Sequence, residues 1–185
     1  SDGNGDGQFT GPTAITHGPD DRVYLADEEL NRITVYDPDG EFISKWGEKG
    51  GDPGQISGPS GLKFTSSGDL LVVDHLNNRI QRMTADGGYI SHFGTSGTGE
   101  GEFNLPWGID TDSNDNIYVA DWRNDRIQRF TPDGVFIDAH GSPGTGDHQF
   151  NRPSDVAVDQ DGFIYVADWL NQRVQVLDGS WNFIK

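Results

Sequence analysis

The sequence predicts an all-β protein, a β-propeller of four-stranded antiparallel blades with four blades in this chain. Asp27, Asp74, Asp121 and Asp168 recur 47 residues apart, and so do Arg32, Arg79, Arg126 and Arg173. Each repeat holds four short runs of alternating or β-branched residues separated by turn formers. The composition is that of a chain that turns often: 24 Asp against 6 Glu, with 26 Gly and 9 Pro, and Asp, Gly and Pro each favour turns for their own steric or hydrogen-bonding reason. A period of roughly 40 to 50 residues with four strands per unit describes a propeller blade.

The marks keep register along the chain. Each repeat opens on a linker that ends in Pro: Gln8-Phe9-Thr10-Gly11-Pro12, Gln55-Ile56-Ser57-Gly58-Pro59, Glu102-Phe103-Asn104-Leu105-Pro106 and Gln149-Phe150-Asn151-Arg152-Pro153. In the third repeat a first strand follows over 108–110, and a second strand over 116–120 carries Ile, Tyr and Val. The Asp121–Asp125 loop leads to a third strand over 126–130, and Thr131-Pro132-Asp133-Gly134 turns the chain into a fourth over 135–139. The closing Asp-Gly turn also occurs as Asp39-Gly40 and Asp86-Gly87, and one residue early as Asp178-Gly179. No stretch sustains a 3.6-residue period with caps, so no helix is expected. The expected blades are residues 1–47, 48–94, 95–141 and 142–185.

Charge and composition narrow the partners. The 13 basic residues are outnumbered by 30 acidic ones, giving a formal net charge of -17. Non-specific nucleic-acid binding comes mainly from cations that neutralise phosphates, so nucleic acid is not an expected partner. Anionic lipid is disfavoured on the same ground, and no run of 18 apolar residues is present to span a bilayer. There is no Cys, so disulfides and thiol chemistry are excluded. The compartment stays open, a secreted or periplasmic one being the first choice.

Tyr118-Val119-Ala120-Asp121 through Arg126-Ile127-Gln128-Arg129-Phe130, and Tyr165-Val166-Ala167-Asp168 through Arg173-Val174-Gln175-Val176, resemble the NHL repeat. Units of that family carry a Phe-x-x-Pro opening, a strand ending in Val-Ala-Asp, an Asn-x-Arg-Ile or Arg-Val step and a closing Asp-Gly turn. The first repeat departs with Leu25-Ala26-Asp27-Glu28-Glu29, and the second has Leu71 where the aromatic stands. The Gly-His, Trp-Asp and Gly-Gly marks of WD40 and kelch units are not in place. The resemblance implies a rigid scaffold for a protein, peptide or glycan ligand, without catalysis or cofactor. The alternative it implies is a metal-dependent lyase or hydrolase akin to the peptide-amidating lyase, whose zinc is held by His on inner strands just after the Pro mark. Here those positions are Thr13, Ser60, Trp107 and Ser154, and none is His.

Propellers of this family usually have six blades, and repeat units bury their apolar faces only against neighbours. A row of four therefore leaves end faces to be covered, by a second copy of the chain completing a ring, by further blades of a parent chain, or by closure of four blades alone. The expected partners are itself or those missing blades, besides the ligand.

Side chains that vary between repeats at a loop position are better ligand candidates than those the scaffold demands. On the face bearing the loops between second and third strands these are Trp107, Trp122, Arg123, Trp169 and His75, beside Glu28, Glu29, Leu76 and Leu170. Tryptophan faces and a guanidinium suit a sugar, a planar group or a peptide side chain. The recurring pairs Asp27 with Arg32, Asp74 with Arg79, Asp121 with Arg126 and Asp168 with Arg173 are expected to be structural, the Asp capping its loop and the Arg bonding bidentately to it or to the next blade. Asp2, Asn4 and Asp6 match the first half of a calcium loop, but the twelfth position is Thr13, so calcium is a marginal expectation. His17, His75, His92, His140 and His148 show no zinc-ligand spacing, and the two that end fourth strands, His92 and His140, are expected to be surface or packing residues.

Overall fold

The computed structural model describes residues 3–185. It is all-β, with no helix longer than a three-residue 3-10 turn among the described residues. The first sheet has the order β1 (Pro12–His17), β2 (Val23–Asp27), β3 (Arg32–Tyr36), β4 (Phe42–Trp46), and the second β5 (Pro59–Phe64), β6 (Leu70–Asp74), β7 (Arg79–Met83), β8 (Tyr89–Phe93). After the short linker strands β9 (Thr95–Ser96) and β10 (Glu102–Phe103), the third sheet runs β11 (Pro106–Thr111), β12 (Ile117–Asp121), β13 (Arg126–Phe130), β14 (Phe136–His140). Linker strands β15 (Ser142–Pro143) and β16 (Gln149–Phe150) precede the fourth sheet, β17 (Pro153–Val158), β18 (Ile164–Asp168), β19 (Arg173–Leu177). There the fourth strand is reduced to a bridge between Leu177 and Phe183. Within these four sheets all strands pair antiparallel with their sequence neighbours, as short connections require, whereas linker strands β9 and β10, and β15 and β16, pair parallel. These are four propeller blades on the 47-residue period.

The chain forms two compact units, one up to His92 and one over Phe93–Lys185. In the first, β5 packs on β1 and β2 around Tyr24, Ile33, Val35, Ile56, Leu70 and Val72. In the second, β11 and β12 pack on β17 around Tyr118, Ile127, Phe150, Val156, Ile164 and Val166. The side-chain alternation of each strand sets which residues enter these seams.

Among the described residues, the first and fourth sheets each leave apolar side chains open to solvent. Ile15 on β1 is 68% exposed, whereas Leu62, its counterpart one period later in the same unit, is 7% exposed. On the fourth sheet Val174 is 59% exposed and Tyr165 36%, against 0% for Ile127 and 3% for Tyr118 one period earlier.

Candidate functional site

The loop between second and third strands is tied to the linker that precedes its own blade. Backbone N–H groups of Glu28, Leu76, Arg123 and Leu170 donate to the carbonyls of Gly11, Ser57, Asn104 and Asn151. In the last three blades the loop is a 3-10 turn, His75–Asn77, Trp122–Asn124 and Trp169–Asn171, closed by a left-handed residue, Asn78, Asp125 or Gln172. That turn aims residues 122 and 169 at the linker side, where the first strands begin.

The Asp–Arg pairs hold this frame. Arg79, Arg126 and Arg173 donate Nε to Asp74, Asp121 and Asp168 at 2.7, 2.9 and 2.8 Å. The pairing uses Nε alone. The terminal nitrogens of the guanidinium reach backbone carbonyls of the blade's own linker, at Gly51, Asp52 and Gln55, at Thr98, Gly99 and Glu102, and at Gly146 and Gln149. The bidentate bond expected from sequence is thus replaced by a bridge from carboxylate to linker, because several linker carbonyls, each with two lone pairs, lie within reach of the fork. Each Asp also accepts from a linker N–H, at Ser57, Asn104 or Asn151. Two donors that sequence reasoning missed complete the cage: Asn77, Asn124 and Asn171, and Gln81, Gln128 and Gln175. Their own 47-residue recurrence was the available signal. Despite these donors, burial pushes the Asp121 carboxyl above the usual range, with the Asn104 backbone N–H and the side chains of Asn124 and Arg126 pulling it back.

The first repeat differs. Leu30 and Thr34 replace the Asn and Gln, Asp27 accepts from the backbone of Thr10, Gly11 and Leu30, and Arg32 holds the carbonyls of Asn4, Gly5 and Gln8. Arg32 Nε and the Thr34 hydroxyl are buried without partners. The expected Asp27–Arg32 pairing is not formed. Of the calcium-loop residues, Asp2 lies outside the described residues, the Asn4 carbonyl serves Arg32, and Asp6 pairs with Lys45 at 2.9 Å. Among the described residues no three His, Asp or Glu side chains converge as metal ligands would.

Four of the five ligand candidates, Trp107, Trp122, Trp169 and Arg123, come together in the second unit. Trp107, Trp122, Trp169 and Ser154 line a cleft of about 420 Å³. Ring centroids of Trp107 and Trp122 are 6.1 Å apart at 45°, and those of Trp122 and Trp169 are 6.1 Å apart at 29°. Arg123 places its guanidinium 5.6 Å from the Trp122 ring, and Arg152, which sequence reasoning missed, does so at 4.9 Å. Arg152 is brought there by its left-handed backbone and by its N–H, which donates to Asp125 Oδ1 of the preceding blade's loop at 2.8 Å. Trp169 is 56% exposed. His75, at the loop position of Trp122 one period earlier, is in the first unit and is buried, packed near Gly58. On strand β17, Asp155 is pushed above the usual carboxylate range by surrounding protein and by Asp110.

Comparison with known proteins agrees with this architecture. The NHL repeat model matches residues 103–130 and 150–177. No curated protein sequence matches the chain. Among solved structures, virginiamycin B lyase from Staphylococcus aureus is similar at 22% identity and TM-score 0.71, over 95% of this chain and 55% of that one. A streptogramin B lyase is similar at 21% identity and TM-score 0.72, over 95% and 54%. A protein of unknown function from Bacteroides thetaiotaomicron VPI-5482 is similar at 19% identity and TM-score 0.73, over 91% and 47%. The chain spans about half the length of these structures, and identities this low bear on fold alone. With the repeat marks, the blade topology and the matched segments in agreement, this chain is a β-propeller chain that carries NHL repeats over residues 103–130 and 150–177.

Proposed function

We propose that the chain is a non-catalytic binding scaffold that takes a protein, peptide or glycan ligand at the cleft of Trp107, Trp122 and Trp169. The observation that carries this reading is the cleft itself: three indoles from two adjacent blades converge on one apolar concavity while Trp169 remains more than half exposed. Large rigid aromatic surface left open to solvent is the usual anchor of a recognition site, because it contributes contact area at little ordering cost. The clamped linkers and loops beneath it supply the rigidity. Further blades, from a second copy or from the rest of a longer chain, cover the faces of Ile15 and Val174; exposed apolar surface of this kind marks an interaction site. The net charge makes neither nucleic acid nor an anionic membrane a partner.

The test is to probe peptide and glycan arrays with the unaltered chain and with Trp169→Ala, checking by circular dichroism that the variant keeps its β signal. The expected result is a set of ligands retained by the first and lost by the second. Identical binding by both would remove the cleft from consideration.

A further inference from the structure

The nine arginines of this chain are not used alike. Arg22, Arg79, Arg82, Arg126, Arg129 and Arg173 pair with carboxylates, and Arg32 holds three carbonyls. The remaining two, Arg123 and Arg152, both stand over the Trp122 ring at the aromatic cleft. Among the described residues neither guanidinium has a carboxylate partner, in a chain where acids outnumber bases by 30 to 13. A guanidinium stacked on an indole keeps its in-plane N–H groups directed outward, and their planar fork matches a carboxylate.

From this arrangement we infer that the cleft takes the C-terminal aromatic residue of a peptide, the ring entering among Trp107, Trp122 and Trp169 and the terminal carboxylate meeting Arg123 and Arg152. The inference rests on the cleft being the ligand site. A chain end fits better than a free aromatic acid because the concavity is open. Small-molecule sites bury most of their ligand's surface, whereas here Trp169 is 56% exposed and Leu170 beside it 50% exposed, so apolar surface continues past the cleft for upstream residues. The overall charge of -17 further favours a peptide whose upstream residues are neutral or basic.

The experiment compares Ac-Lys-Gly-Phe with its C-terminal amide by calorimetric titration, using the unaltered chain, an Arg123→Gln/Arg152→Gln double variant and Trp169→Ala. The acid should bind about fivefold tighter than the amide, as partly exposed charge pairs allow. The gap should close in the double variant, and Trp169→Ala should weaken acid and amide together. Equal affinities of acid and amide for the unaltered chain would overturn the carboxylate assignment and leave the cleft standing. No effect of Trp169→Ala on either peptide, or no binding of either, would overturn the inference together with its site. 3-Phenylpropanoate binding as tightly as the acid peptide would overturn the choice of a peptide.

Discussion

His140 Nε2 and His148 Nδ1 lie 2.8 Å apart, so one ring donates a hydrogen bond to the other. His140 ends the outer strand β14, His148 sits in the linker to the fourth blade, and the His140 ring stacks on Trp181 of that blade at 5.1 Å and 8°. One period earlier in the same unit, Phe93 packs on the turn glycine Gly134 in this place. The outer seam between the third and fourth blades thus carries two titratable rings, His140 and His148.

That seam should make stability depend on pH. Burial first, then His148, hold His140 below the ordinary histidine range, and Asp138 opposes them. A histidine whose folded value is depressed contributes its full stability above the unfolded value, about 6.5, and loses it as the pH falls through the folded value. Urea midpoints taken from pH 7.5 down to 5 should therefore fall. The decline should flatten in His140→Phe, which copies the Phe93 arrangement. An unchanged slope in the variant would place the sensitivity elsewhere.

Asp121 anchors one linker, one loop and one strand through the Asn104 N–H, Asn124, Arg126 and Gln128. Asp121→Ala takes the acceptor from the Asn104 N–H and from Arg126 Nε and leaves the largely buried guanidinium without its counter-charge, and should lower the unfolding free energy by about 3 kcal/mol, the scale for breaking a buried pair from one side. Equilibrium urea denaturation measures it. Arg22→Gln, whose pair with Asp20 at 3.5 Å is exposed, should change it by less than about 1 kcal/mol.

The first repeat offers a gain. The Thr34 hydroxyl is buried without a partner where later repeats carry Gln. Thr34→Val removes an unsatisfied hydroxyl at nearly constant volume, so the variant should be more stable by about 1 kcal/mol in the same denaturation assay. A loss of that size would mean that the hydroxyl has a partner in solution.

The bare sheet faces predict association. Covering a side chain such as Val174 contributes roughly 1.5 kcal/mol or more. Sedimentation velocity of the isolated chain should show mass rising with concentration, and Val174→Asp should weaken that association at least about tenfold. A monomer at all concentrations would show that this chain does not cover its own ends.

Most of the scaffold was legible in the sequence because a blade is a local object. The 47-residue recurrence of Asp121 and Arg126 placed every sheet, and Pro106, Ala120 and Asp133-Gly134 placed its strands to within two residues. The grouping of Trp107, Trp122 and Trp169 followed from loop topology. What the sequence hid were contacts between blades that depend on departures from the repeat. His148 and Trp181 occupy places held by Gly101 and Gly134 one period earlier, so the histidine seam has no precursor in the pattern. Arg152 was passed over because it reads as part of the linker, whereas its left-handed backbone and its N–H bond to Asp125 bring it over Trp122. The bidentate Asp–Arg bond was too simple an expectation, since the linker's carbonyls compete for the same guanidinium.

Those carbonyls carry a consequence for redesign. The second, third and fourth clamps recognise main chain rather than side chains, and each arginine reaches the residue 24 positions upstream of it, as Arg79 does Gln55 and Arg126 does Glu102. Loop residues such as Thr98 and Gly99 are thereby open to replacement so long as their number is kept, which makes the scaffold a measuring device for segment length that is indifferent to spelling.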